Sequence, residues 1–138
     1  MTETIAKQIA VLINSQNELA IRYTSKMVLA QAGDHLWEMQ GERVIGAVRI
    51  QCVQWYQAEI SHLSVHSDVA RIGIGTKLLK RAEVRAAELG ARIAQCTIRE
   101  SNERSIKFFT KHGFASVTSF SNPQTGNIVK VFQRSLTT

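Results

Sequence analysis

The sequence predicts a mixed α/β domain, and three observations carry that prediction. Two helical segments open the chain, strand–helix–strand alternation fills its middle, and paired strands joined by short turns stand on either side of that middle. Such an order indicates a mixed sheet with helices packed on it. A chain of 138 residues with a 44% apolar share and one proline suits one domain, 1–138, built on one core.

Taken in order, Ile5, Ile9, Leu12 and Ile13 recur at helical spacing, which predicts an amphipathic helix from about Thr4 to Ser15. A weaker helical segment runs from Asn17 to Gln31 until Gly33 and Asp34 break it. Leu36–Met39 and Val44–Ile50 read as a hairpin around Gln40-Gly41-Glu42, and a further strand spans about Ala58–Val65. Leu78, Leu79, Ala82, Ala86 and Leu89 then make one apolar helix face, closed by Gly90. Ile93–Ile98 is a short apolar strand. Asn102 caps a helix running to His112, with Gly113 beyond it. Ala115–Phe120 and Ile128–Phe132 form the last hairpin through Asn122–Asn127.

The 17 Lys and Arg outnumber the 11 Asp and Glu, leaving a net charge of +6 that would attract a polyanion. Lys77, Lys80, Arg81 and Arg85 are interleaved with apolar residues, so their plainest reading is a solvated helix face. Cys52 and Cys96 lie in apolar strand-like stretches and are expected as buried thiols of a reducing compartment. No leader-like start and no run of about 18 apolar residues is found, so the expectation is a cytoplasmic protein with no membrane partner. His62 and His66 fall on a strand, too far apart to share an ion, and no metal is expected.

The chemistry concentrates in one segment. Ile60–Val65 leads through a polar loop into Arg71-Ile72-Gly73-Ile74-Gly75 and directly into a helix. Glycines let a backbone turn tightly and come close to a ligand, and helix-start amides with the dipole behind them favour an anion. The same Gly-x-Gly also serves as a plain tight turn. A P-loop is excluded because no Gly-Lys-Ser/Thr follows, and a dinucleotide fold would carry its glycines in an early βαβ unit.

Two stretches, one strand apart, resemble a known family. Leu63-Ser64-Val65-His66-Ser67-Asp68 followed by Gly73-Ile74-Gly75-Thr76-Lys77-Leu78-Leu79 is similar to the acetyl-CoA motif of the GCN5-related N-acetyltransferase (GNAT) family. Asn102 to Phe114, with Ser105 at the small position, resembles that family's second segment. The resemblance runs from about Trp37 to Phe132. It implies a mostly antiparallel sheet of about six strands, helices on both faces, and splayed central strands at about Ala58–Val65 and Ile93–Ile98. Two positions depart from the pattern: Ala70 stands where Gln or Arg is usual, with the basic residue moved to Arg71, and Phe109 stands where many members carry a proton-donating tyrosine.

The resemblance implies direct acetyl transfer from acetyl-CoA to a primary amine of a small molecule or a protein. Main-chain groups of Arg71, Ile72, Gly73, Ile74, Gly75 and Thr76 would take the pyrophosphate. Leu63 and Val65 would contact the pantetheine, with the Leu63 amide polarising the thioester carbonyl. Asn102 and Ser105 would contact the pantetheine arm, and Asn102 can cap its helix as well. Glu59 matches the position of the family's catalytic glutamate and is either the base that frees the amine or a solvated strand-edge carboxylate. Tyr56 and His62 are lesser candidates for proton handling, and Trp37, Trp55 and Tyr56 line a cleft or sit in the core. A coenzyme-binding module without catalysis and a basic nucleic-acid-binding domain are the competing readings. The latter rests on charge alone. Monomer and homodimer are both compatible.

Overall fold

The computed structural model describes residues 1–17, 19, 21–69 and 72–136. In chain order its elements are α1 (Glu3–Gln16), α2 (Ser25–Ala30), β1 (His35–Gln40), β2 (Arg43–Gln54), β3 (Gln57–Val65), α3 (Ile74–Glu88), β4 (Ile93–Arg99), α4 (Glu103–Lys111), β5 (Ala115–Ser121) and β6 (Ile128–Ser135). The strands follow the order β1-β2-β3-β4-β6-β5. Pairing is antiparallel for β1–β2, β4–β6 and β5–β6 and parallel for β3–β4. The described residues group into two compact units, Met1–Gln51 with Ile60–Arg85 and Cys52–Glu59 with Ala86–Thr138.

In the first unit, the Thr2 hydroxyl accepts from the Ile5 amide and starts α1. The helix buries Ala6, Ile9, Ala10, Leu12 and Ile13, the predicted stripe, against Val28 of α2 and Val44 and Ala47 of β2. A bulge opposes Glu38 to Gly46 and Met39 to Val44, leaving Ile45 as the extra residue. Gly46 and Ala47 are consecutive, so they address opposite faces of the strand. Ala47 joins the α1 and α2 cluster, whereas a Cβ at Gly46 would lie 2.8 Å from Leu78 Cδ1 and 2.9 Å from Ile74 Cγ2 of α3. Helices therefore flank both faces of β2, and α3 rests where a side chain is missing.

In the second unit, Ala94, Cys96 and Ile98 are the buried alternate residues of β4. Their strand pairs with β6 from Ile93↔Ser135 to Arg99↔Val129. On its other side the parallel ladder with β3 holds Gln57↔Ile93, Ala58↔Ala94 and Glu59↔Gln95 and ends there. Phe109 of α4 packs edge-to-face on Phe114, ring centroids 5.2 Å apart.

Three expectations are corrected. The second helix spans only Ser25–Ala30, capped by Thr24. The chain leaves α1 in extended geometry at Asn17, and the Asn14 side chain grips both main-chain groups of Tyr23, so tertiary hydrogen bonds replace helical ones. Cys52 is exposed because β2 continues beyond its last buried residue, Ile50, while Cys96 is buried as expected. Leu89 is exposed just past the end of α3, where the helical stripe no longer applies.

Gly46→Val forces a branched side chain into Leu78 and Ile74, and overpacking of this kind costs about 1–3 kcal/mol. Thermal denaturation should show a lowered Tm, with Gly46→Ala the milder of the pair.

Candidate functional site

The approach to the glycine turn is held by charge. After β3, the His66 amide donates to the Ile45 carbonyl at 2.8 Å, and Asp68 in the short 3₁₀ turn Ser67–Val69 accepts from Arg43 at 2.9 Å. His66 Nδ1 stands 3.0 Å from the same carboxylate. The Arg43 hydrogen bonds hold the Asp68 carboxyl below its ordinary range. Ala70 and Arg71 lie outside the described residues. Ile72 is exposed, and Gly73 takes the left-handed conformation at φ 82. The Gly73 carbonyl accepts from the Lys77 amide at 3.0 Å, which makes Gly73 the cap of α3, with Ile74, Gly75 and Thr76 in the first turn. Helix geometry gives the first amides no acceptor within the helix. Among the described residues nothing lies within 4 Å of where a Cβ at Gly73 would stand.

The flank of α3 is not a freely solvated basic face. Lys77 Nζ sits 2.7 Å from Glu38 Oε1, and Arg81 bonds both Glu38 and the Trp37 carbonyl, which corrects the expectation for these two residues.

Leu63 and Val65 are half-buried on β3, and the residue before Leu63 is unusual. His62 has φ 54, a left-handed conformation inside a strand that costs a non-glycine residue about 1–2 kcal/mol. Two hydrogen-bond paths hold it. The Ser64 hydroxyl donates to the His62 carbonyl at 3.0 Å and accepts from Asn17 at the end of α1 at 2.9 Å. The Tyr23 hydroxyl stands 3.0 Å from His62 Nε2, with Asn14 clamping the Tyr23 backbone. Sequence pattern marks none of Tyr23, Asn14 and Asn17 as site residues, and Ser64 enters only as a member of the acetyl-CoA motif. Tyr23 lay inside the segment read as helix, and no periodicity marks the others. A groove of about 350 Å³ along α1 shares Arg43 and His66 with the loop but includes neither the glycine turn nor Tyr23 and His62.

The second unit carries the remaining candidates. Glu59 is half-buried, accepts from Gln95 at 3.1 Å, and Gln95 accepts from Gln133 at 2.7 Å. Burial raises the Glu59 carboxyl above its ordinary value, opposed by the Gln95 hydrogen bond. Burial and the Glu59 charge push the Cys96 thiol up to about 12, which makes it a poor nucleophile. Asn102 caps α4 by accepting from the Ser105 amide at 3.2 Å. Phe109 is a core residue, enclosed by Phe108 and Phe114. Trp55 is exposed at the β2–β3 turn and stacks edge-to-face on Tyr56, while Trp37 packs on the α1 core.

Residues 8–114 match the Acetyltransferase (GNAT) family. The chain belongs to that family. No curated protein matches this GNAT chain in sequence. Solved structures do match in fold. Salmonella typhimurium yncA, crystallised with its cofactor acetyl-CoA, superposes with a TM-score of 0.82 at 19% identity over 99% of this chain and 91% of that one. Ard1 from Thermoplasma volcanium gives 0.81 at 18% identity over 96% and 94%. The Escherichia coli ribosomal-protein-S18-alanine N-acetyltransferase gives 0.78 at 16% identity over 100% and 92%. Identities this low speak for the fold. Among the described residues no helix is long and apolar enough to cross a membrane.

In this GNAT chain Glu38 supplies a pH-dependent tie between β1 and α3. Burial opposes its ionisation, but Lys77 and Arg81 outweigh burial and hold the carboxyl below its ordinary value of 4.5. A depressed carboxyl contributes stability that is present above 4.5 and lost as pH falls through the lower, folded value. Glu38→Gln should therefore lower Tm at neutral pH and flatten its decline on acidification, read by thermal denaturation from neutral pH downward.

Proposed function

We propose that the chain is a single-domain cytoplasmic N-acetyltransferase that moves an acetyl group from acetyl-CoA directly to a primary amine of a small molecule or a protein. The observation that carries this reading is the left-handed Gly73 turn at the start of α3 in a chain of the acetyltransferase family. Its amides fit a pyrophosphate, with the helix dipole behind them and Arg71 adjacent in sequence. The Ile72 amide already donates to the Val69 carbonyl at 3.3 Å, which removes it from the expected set. In this reading Gly73 to Thr76 take the diphosphate, and Val65, Asn102 and Ser105 take the pantetheine. The Leu63 amide takes the thioester oxygen as negative charge develops there. Coenzyme-bound relatives such as yncA support the choice of co-substrate.

Attack needs a neutral amine. Glu59 accepts the first proton of the ammonium through water, a role supported by its raised carboxyl and half-buried position. The amine nitrogen bonds the carbonyl carbon, the carbon–sulfur bond breaks, and sulfur leaves with the electron pair to be protonated from water.

The buried Phe109, which has no proton to give, favours one second reading, a module that binds coenzyme without turnover. Charge alone supported a nucleic-acid-binding domain, and the engagement of Lys77 and Arg81 by Glu38 weakens it.

Acetyl-CoA at about 100 times its Kd should stabilise the protein by about 2.7 kcal/mol, and no Tm shift at high excess would remove the coenzyme site. Gly73→Ala should cost only about 1–2 kcal/mol of stability. Its Cβ enters the ligand's space, so calorimetric titration should show coenzyme binding weakened by about 10-fold or more. Thiol release across an amine panel separates enzyme from module. Glu59→Gln should slow release and abolish an acid limb lying above the ordinary carboxylate value, and an unchanged pH–rate profile would dismiss Glu59 as the base.

A further inference from the structure

The contact between Tyr23 and His62 belongs to no part of the coenzyme site, yet both of its residues are held by further hydrogen bonds. Its hydrogen bond measures 3.0 Å, and the rings meet edge-to-face with centroids 4.9 Å apart. Tyr23 belongs to a non-helical segment, and Asn14 fixes that residue by bonding its amide at 2.8 Å and its carbonyl at 2.9 Å. His62 is kept in a costly left-handed conformation by Ser64 and Asn17. Strain that surroundings hold at two points marks a residue whose placement matters. His62 directly precedes Leu63, whose amide the transferase reading places on the thioester oxygen.

We propose that Tyr23 and His62 form a proton relay for the acceptor, receiving the second proton that the amine nitrogen sheds once its bond to the acetyl carbon has formed. The inference rests on the transferase reading and adds residues to it, because an ammonium must lose two protons to become an amide and Glu59 accounts for one. His62 Nδ1 has no hydrogen-bond partner among the described residues and is the entry. The nitrogen's proton passes to Nδ1, the proton on Nε2 passes to the Tyr23 oxygen, and the Tyr23 hydroxyl proton passes to water. The imidazole finishes neutral, in the opposite tautomer; once product leaves, Nδ1 gives its proton to water while Tyr23, reprotonated from water, returns one to Nε2, which restores the starting state.

Neutrality is what the surroundings demand. Arg49 of β2, paired with Asp34 at 3.1 Å, and His35 of β1 face the ring electrostatically, and among the described residues Tyr23 is the ring's hydrogen-bonded neighbour. Burial, then Arg49 and His35, lowers His62 to about 4. An imidazole that cannot store a proton at neutral pH is ill suited to a resting base but can still pass one through.

His62→Gly is the decisive variant, since glycine accepts the φ of 54 and leaves a space shaped for free imidazole. With acetyl-CoA and the best amine of the panel, kcat should fall by about 100-fold in His62→Gly and by about 10-fold or more in Tyr23→Phe. The Tm shift with acetyl-CoA should stay as in the wild type. Added imidazole should restore kcat in His62→Gly and leave Tyr23→Phe unchanged. A His62→Gly rate within about two-fold of wild type, or a slow variant that imidazole does not restore, overturns the relay while leaving the transferase reading intact. No transfer by the wild-type chain to any amine overturns both.

Discussion

One backbone constraint organises the first unit: His62 holds a conformation that L-residues avoid, inside a strand. The chain tolerates it because α1 reaches β3 twice, through Asn17 and Ser64 to the His62 carbonyl and through Asn14 and Tyr23 to its ring. Each link is a side-chain hydrogen bond of modest net worth, about 1 kcal/mol. Together they match the cost of the strained residue. Loss of α1 would remove both paths at once, so this helix fixes the placement of His62 as well as building the core.

Regular structure was legible because it depends on local pattern. Ile9, Leu12 and Ile13 declared a helix by spacing, Asn102 declared its cap, and Gly73 declared a turn, and each stands where pattern put it. Family likeness was legible through two separated motifs, and the match across residues 8–114 agrees with it. The polar scaffold was not legible. Asn17 meets Ser64 across 47 positions, and Arg81 meets Glu38 across 43, so neither pairing leaves a period to read. The Asn17–Gln31 segment misled for the same reason: Asn14 satisfies the Tyr23 backbone from outside and removes the need for helix there.

The electrostatics divide the work. Lys77 and Arg81 of α3 are engaged by Glu38, and Arg43 by Asp68, so these side-chain charges fix protein to protein. In the transferase reading, attraction for the diphosphate falls largely to oriented amides, which do not ionise at ordinary pH. Burial acts on the titratable groups in the same direction, against charge: it raises the Cys96 thiol and the Glu59 carboxyl and lowers the His62 imidazole.

Gly46 has an effect that reaches beyond packing. The start of α3 sits on it through Ile74 and Leu78. The bulk at this one strand position therefore gauges how deep the glycine-turn end of the helix rides. In the transferase reading, variation there would alter coenzyme affinity through geometry alone, and a lineage could tune its substrate demand without changing a single proposed contact residue.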